Sequence, residues 1–364
     1  MGYLSDLQRI VEINSYTKNK KGVDTVGDIM SIWLEALNFQ KITHSRELIG
    51  NHLLFQSPKK EGIKILLLGH NDTVFPPFTF ETYQEDEKWV YGPGVCDMKG
   101  GNIVALQTLR NLFEKNQEIH NIDFLLVSDE ETGSDDSKDL TSSLAPHYDY
   151  CFVFEAAGEN LEIVTQRKGV GTFTINIEGK ASHAGTSYLK GVDANLEASY
   201  KLQHLVALTN IDEGTTVNVG KISGGIGANT ISPQCELLIE IRYTQNVQKE
   251  KLLNALNQIV ATSYVKGTTA SLSGSIQRDV MQANEQQEKL IKTLENITQS
   301  QIKTEKRGGV SDANIVASCG VTTLDGFGPF GDGDHTVKER ALKSSFEQRI
   351  EMMTKILTHF QNQP

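Results

Sequence analysis

Carboxylates and histidines recur just beyond short apolar runs in this chain. The run Ile65-Leu66-Leu67-Leu68 leads into Gly69-His70-Asn71-Asp72-Thr73. Gly94-Val95-Cys96-Asp97-Met98-Lys99-Gly100-Gly101 follows. Phe124-Leu125-Leu126-Val127 leads into Ser128-Asp129-Glu130-Glu131-Thr132-Gly133, and Cys151-Phe152-Val153-Phe154 into Glu155. Far downstream, Gly333-Asp334-His335-Thr336 adds a second imidazole. Short apolar runs ending in loops read as buried parallel strands. Ligands of open α/β sheets bind at the carboxyl ends of such strands. His70, Asp97, Glu131, Glu155 and His335 are therefore expected to meet at one place.

Imidazole and carboxylate together point to a divalent metal. A single zinc takes about four such ligands and, in a catalytic site, keeps one position for water. Two histidines and three carboxylates exceed that set, but they suit two metals that share one carboxylate and one water. Two zincs carry four positive charges against the three negative charges of Asp97, Glu131 and Glu155, and a shared hydroxide makes the cluster neutral. Metals about 3.5–4 Å apart jointly polarise a carbonyl and acidify the water between them. Such nitrogen–oxygen sites also accept manganese or cobalt.

Hydrolysis needs a further carboxylate that does not bind metal, to take a proton from the water and pass it to the leaving amine. Glu130 stands beside Glu131 where the strand turns, so both can face one cleft. Asp72 lies two residues past His70, on the same side of an extended backbone. It can accept the His70 ring N–H and fix the ligating tautomer. Taken singly, His70 and His335 would read as satisfied buried histidines, and Glu130-Glu131 as a solvated turn; the ordered set argues otherwise. Glu159 and Glu162 lie near Glu155, which is preferred because it directly ends its strand. Asp312 reads as a helix N-terminal charge. Gly224-Gly225-Ile226-Gly227 is a poor phosphate loop, because no helix opens after it and Pro233 follows.

The elements that must hold these groups alternate. Helical patterns at Leu4–Asn14, Val23–Leu37 and Asn102–Phe113 interleave with strands at Ile63–Leu68, Phe124–Val127 and Phe152–Phe154, the mark of a sheet with crossover helices. After Lys168 the texture changes. Phe173, Ile175 and Ile177 alternate with polar residues, as in a half-solvated strand. The order is strand, helix (Asp193–Leu208), strand (Thr216–Ile222), strand (Cys235–Tyr243), helix (Val247–Ser263), strand (Thr269–Ser275), a split βαβ arrangement. The reading is an α/β fold. Its mixed, mostly parallel sheet is flanked by helices and built from residues 1–167 and 279–364. A ferredoxin-like α+β domain, 168–278, is inserted. Helices at Gln287–Thr298, Asp312–Ser318 and Ser344–Gln361 resume the first domain and return His335 to it.

Composition excludes some classes. With 364 residues the chain is long for one core. A net charge of −11 argues against a nucleic-acid partner. Cys96, Cys151, Cys235 and Cys319 are far apart and read as reduced thiols of a cytoplasmic protein. No secretory signal is read at the start, and no run is long enough to span a bilayer.

The segments His70–Val74, Gly92–Gly101 and Asp129–Ser134 resemble the signature blocks of the di-zinc peptidase and amidohydrolase family that includes glutamate carboxypeptidases, aminoacylases and succinyl-diaminopimelate desuccinylase. The glutamate carboxypeptidase branch is the nearest by eye, and the likeness covers nearly the whole chain. It implies His70 and Glu155 on one zinc, Glu131 and His335 on the other, Asp97 bridging, Glu130 as general base and Asp72 orienting His70. Within the insertion, Ala181-Ser182-His183-Ala184-Gly185 resembles the block whose histidine stabilises the oxyanion in a partner subunit's site. Gly227–Pro233 resembles the block supplying a substrate-binding asparagine, Asn229. Ile241-Arg242-Tyr243 resembles the strand whose arginine holds a substrate carboxylate, and a planar guanidinium suits that task. Tyr188 and Asp193 stand where proline and asparagine are common, and Asp332 with Asp334 makes the approach to His335 acidic.

The expected activity is metal-dependent hydrolysis of the amide bond of a small peptidyl or N-acyl amino acid with a free carboxylate. The same site also fits an acetyl or succinyl deacylase or a di- or tripeptidase; a non-catalytic binder would have no need of Glu130. A homodimer through the inserted domain is expected, with that domain serving as lid and dimerisation module.

Overall fold

The structure is a computed structural model and describes residues 2–362. The chain separates into two compact units, one of residues 1–166 and 283–364, the other Arg167–Gln282.

The larger unit is organised by a six-stranded sheet. Its strands lie in the order Gln40–His44, His52–Gln56, Ile122–Val127, Ile65–His70, Tyr150–Val153 and Thr322–Leu324. The last four are mutually parallel, and the first two add an antiparallel edge. Every residue of Ile65–His70 and Ile122–Val127 is buried, as expected of strands covered on both faces. Ile65, Leu67, Phe124, Leu126, Phe152 and Phe154 share one core with helices Gly2–Val11, Lys99–Asn116, Glu285–Thr298 and Lys343–Gln361. Leu66, Leu68, Leu125 and Val153 alternate with them and are buried too, so they belong to the other face. Truncating one such leucine to alanine would cost roughly 2–5 kcal/mol.

A smaller four-stranded sheet orders Gly331–Asp332, Arg340–Leu342, Trp89–Tyr91 and Gln84–Glu85. Arg340 pairs with Tyr91, Ala341 with Val90 and Leu342 with Trp89. Residues 333–339, with His335, form the turn between its first two strands. No described helix is long and apolar enough to cross a membrane.

The second unit is a four-stranded antiparallel sheet in the order Thr216–Gly224, Gln234–Tyr243, Gly169–Glu178, Thr269–Arg278. Helices Ala194–Val206 and Asn246–Ala261 pack on it. Phe173, Ile175 and Ile177 point into the core beneath those helices, whereas Asn176 and Glu178 are exposed. The unit extends a few residues beyond the alternating strand pattern because Met281 and Arg167 exchange main-chain hydrogen bonds of 3.0 and 3.1 Å. Asp193 caps the first helix, its Oδ1 accepting the N–H groups of Asn195 and Leu196.

Candidate metal centre

Strand register places the first two groups. Leu68 pairs with Val153 across parallel strands, so His70 and Glu155, each two residues on, emerge side by side. His70 Nε2 is 3.7 Å from Glu155 Oε1. The strand Ile122–Val127 pairs Val127 with His70 and then enters a 3-10 turn at Glu130–Thr132, which brings in the acidic pair. Asp97 stands just before helix Lys99–Asn116, and the peptide joining it to Met98 is cis. The helix can start there because two glycines permit close approach. A Cβ on Gly101 would lie 1.8 Å from the Phe154 carbonyl oxygen, and one on Gly69 would lie 2.1 Å from Asn102 Oδ1. Asn102 uses that proximity to donate to the His70 carbonyl at 2.7 Å.

The two histidines meet opposite oxygens of one carboxylate. His70 Nε2 lies 3.2 Å from Asp97 Oδ1, and His335 Nε2 lies 3.1 Å from Asp97 Oδ2. His335 Nε2 is also 3.1 Å from Glu131 Oε2. Two triads result, His70–Asp97–Glu155 and Asp97–Glu131–His335, with the ligand atoms of each within 4.8 Å of one another. All five residues singled out from the sequence are thus brought together. His335 holds a left-handed backbone, φ 60°, a conformation uncommon for a non-glycine residue.

Electrostatics show what this donor set demands. Burial, and then the field of Asp97, pushes the Glu131 and Glu155 carboxyls well above the usual carboxylate range. Asp97 is half-buried and loses solvation too, but hydrogen bonds from His335 and His70 overcome that and hold it low. Hydrogen bonds to Asp97 and Glu131 push His335 up to about 11. Burial opposes the charged form of His70, yet Asp72, Asp97 and Glu155 raise it well above 6.5. Three carboxylates and two imidazoles this close call for positive charge between them, and their nitrogen and oxygen donors fit one divalent cation per triad.

The surrounding groups fix the ligands. His70 Nδ1 is 3.0 Å from the Asp72 main-chain oxygen and 3.4 Å from its Oδ1, so main chain and side chain together face the ring. Asp72 is buried, and its Oδ2 accepts the Thr17 hydroxyl at 2.7 Å and the Glu131 N–H at 3.3 Å. Lys99, also buried, donates to the carbonyls of Ile10 and Ile13 at 2.9 and 2.8 Å, tying the first helix to the Asp97 segment. Glu130 is half-buried, and its charge acts on both Glu131 and Glu155. Asp332 does not leave the approach to His335 as acidic as its sequence suggests, because Arg340 pairs with it through two bonds of 2.8 and 2.9 Å.

His183, Asn229 and Arg242 belong to the second unit. His183 and Thr230 form an antiparallel bridge, and the Ala184 N–H donates to the Asn229 carbonyl at 2.9 Å. His183 Nδ1 accepts the N–H groups of Gly185 and Thr186 at 3.1 and 3.2 Å, which leaves the ring proton of the neutral form on the exposed Nε2. Arg242 Nε and one terminal nitrogen engage Glu240, at 2.8 and 3.2 Å.

The profile of peptidase family M20/M25/M40 matches residues 66–359. The chain belongs to that family. As a member of peptidase family M20/M25/M40 it is a metallopeptidase or amidohydrolase. Carboxypeptidase G2 of Pseudomonas sp. strain RS-16 is 27% identical over 97% of this chain and 88% of its own length. Solved structures share the family fold. A tripeptidase from Staphylococcus aureus superposes with a TM-score of 0.84 at 23% identity, covering 99% of this chain and 98% of its own. A dinuclear metal-binding M20 peptidase from Bacillus subtilis gives 0.72 at 13% identity, covering 99% and 98%.

Proposed function

We propose that this M20/M25/M40 protein hydrolyses the amide bond of a small peptidyl or N-acyl amino acid whose α-carboxylate is free. The observation that carries the reading is Asp97 shared between two triads, with the non-ligating Glu130 next to Glu131. His70 and Glu155 would hold one divalent cation and Glu131 and His335 the other, with zinc the expected metal and manganese or cobalt as substitutes. Such a pair, when bound, polarises the scissile carbonyl and acidifies the attacking water. Glu130 takes the water's proton and delivers it to the departing amine. Asp72 keeps His70 in its ligating orientation.

His183 suits oxyanion stabilisation because its Nδ1 is already occupied as an acceptor, so Nε2 carries the ring proton and can donate. Arg242 binds the substrate carboxylate and must share its guanidinium with Glu240 to do so. Asn229 adds a polar contact to the substrate. His183 serves the site of a partner subunit, in a homodimer formed through the inserted unit, which also acts as lid. The outer strand Thr216–Gly224 supports that assembly, since its last residues are exposed on a sheet edge. The four cysteines stand as free thiols, in keeping with a reducing compartment such as the cytoplasm.

The likeness to carboxypeptidase G2 over nearly the whole chain supports the carboxypeptidase-type reading. The test is a panel of N-acyl amino acids, their carboxamides and unblocked tripeptides, offered to the metal-loaded protein. Turnover restricted to free-acid N-acyl or peptidyl substrates is expected. Turnover of carboxamides at equal rates, or of tripeptides alone, would overturn the proposal.

A further inference from the structure

Glu339 is fully buried four residues past His335, and the hydrolytic steps above make no use of it. Its carboxylate lies against the loop that carries Asp97. Oε2 accepts the Gly94 N–H at 2.9 Å, and Oε1 accepts the N–H groups of Cys96 and Asp97 at 3.0 and 3.1 Å. Its own carbonyl takes the Gly92 N–H at 3.3 Å. Three loop N–H groups thus converge on one side chain from a segment more than 240 residues away. Neighbouring contacts draw the same two segments together. Strand Arg340–Leu342 pairs with Trp89–Tyr91, and Gly331 packs so closely that a Cβ there would lie 2.4 Å from Cys96 Cβ.

We propose that Glu339 is a positioning residue that locks the Asp97 loop to the His335 turn and thereby sets the geometry of the Asp97–Glu131–His335 cation pocket. This rests on the two-cation reading of the site. Both ligands at issue come from irregular segments, whereas His70 and Glu155 emerge from paired strands. The register of Arg340–Leu342 with Trp89–Tyr91 lays the two segments side by side but stops short of both Asp97 and His335, so a further contact is needed to set their separation. A carboxylate suits the task because its two oxygens accept all three bonds and offer no donor. The amide of glutamine would turn an NH2 group toward one of the loop N–H groups. The effect is uneven. Asp97 serves both triads, so slack between these loops touches both pockets, but the one that needs His335 loses two positioned ligands at once, whereas the other keeps His70 and Glu155 on paired strands.

The experiment compares wild type, Glu339→Gln and Gly331→Ala. Gly331→Ala keeps the Glu339 side chain but presses on Cys96 Cβ and on the Arg340 carbonyl oxygen, each 2.4 Å from the added Cβ, and so strains the junction of the same two segments. Each protein is stripped of metal, checked for folding by circular dichroism and thermal melting, and titrated with zinc by calorimetry. Wild type is expected to bind two zinc ions per chain. In each folded variant the two affinities should split, one ion weakening by about tenfold or more and the other by clearly less. Variants that melt lower yet bind both ions as wild type does would overturn the proposal and leave Glu339 a structural residue only. If Glu339→Gln does not fold, Glu339→Asp, which keeps the carboxylate but shortens its reach to the Gly94, Cys96 and Asp97 N–H groups, decides by the same criterion. A wild-type protein that does not take two ions would overturn this inference together with the site reading beneath it, an outcome distinct from failure of the variants alone.

Discussion

Asp72 Oδ2 accepts the main-chain N–H of Glu131 at 3.3 Å, so the residue beneath His70 also anchors the turn that carries the acidic pair. One buried carboxylate thereby touches the ligands of both triads, while Thr17 steadies it from the far side at 2.7 Å. Asp72→Ala removes three contacts at once. Zinc affinity, measured by titrating the metal-free protein, should fall about 10–100-fold. Unchanged affinity would show that the Asp72 main-chain oxygen, 3.0 Å from His70 Nδ1, suffices to hold the ring.

Glu130→Gln tests the division of labour between adjacent acids. Glu131 is a member of a triad and Glu130 is not. Metal content, read by elemental analysis, should stay near wild type, while turnover drops by about 100- to 10,000-fold. Retained turnover would remove Glu130 from the role of base.

Arg242 is expected to discriminate substrates through their carboxylate. A charge-assisted hydrogen bond contributes about 1.5–3 kcal/mol, so Arg242→Ala should lower kcat/KM for free-acid substrates by roughly 10- to 100-fold. Matched carboxamides should lose little. Equal losses on both would indicate that the Arg242–Glu240 pair only shapes its strand.

Much of this architecture could be read from patterning because the groups concerned end buried strands. Residues 65–68, 124–127 and 151–153 are unbroken apolar runs and announce themselves. The antiparallel edge does not. Gln40–His44 is polar and largely exposed, and His52–Gln56 offers only Leu53, Leu54 and Phe55 between polar ends. Ser137–Leu144 is a short helix with little apolar content, and Thr304–Arg307 a strand with none.

The groups that steady the site were hidden for a different reason. Thr17, Lys99, Asn102 and Glu339 act on main-chain atoms or on a carboxylate far away in sequence. No spacing rule links Glu339 to Gly94, or Lys99 to Ile10; only the folded loops bring them together. The pairing of Asp332 with Arg340 was missed in the same way, since the turn holding His335 brings those two residues back together.

The most direct test of the two-cation centre is anomalous diffraction at the zinc edge from crystals of the zinc-loaded protein. Two peaks per chain are expected, one among His70, Asp97 and Glu155, the other among Asp97, Glu131 and His335. A single peak, or peaks away from Asp97, would contradict the account.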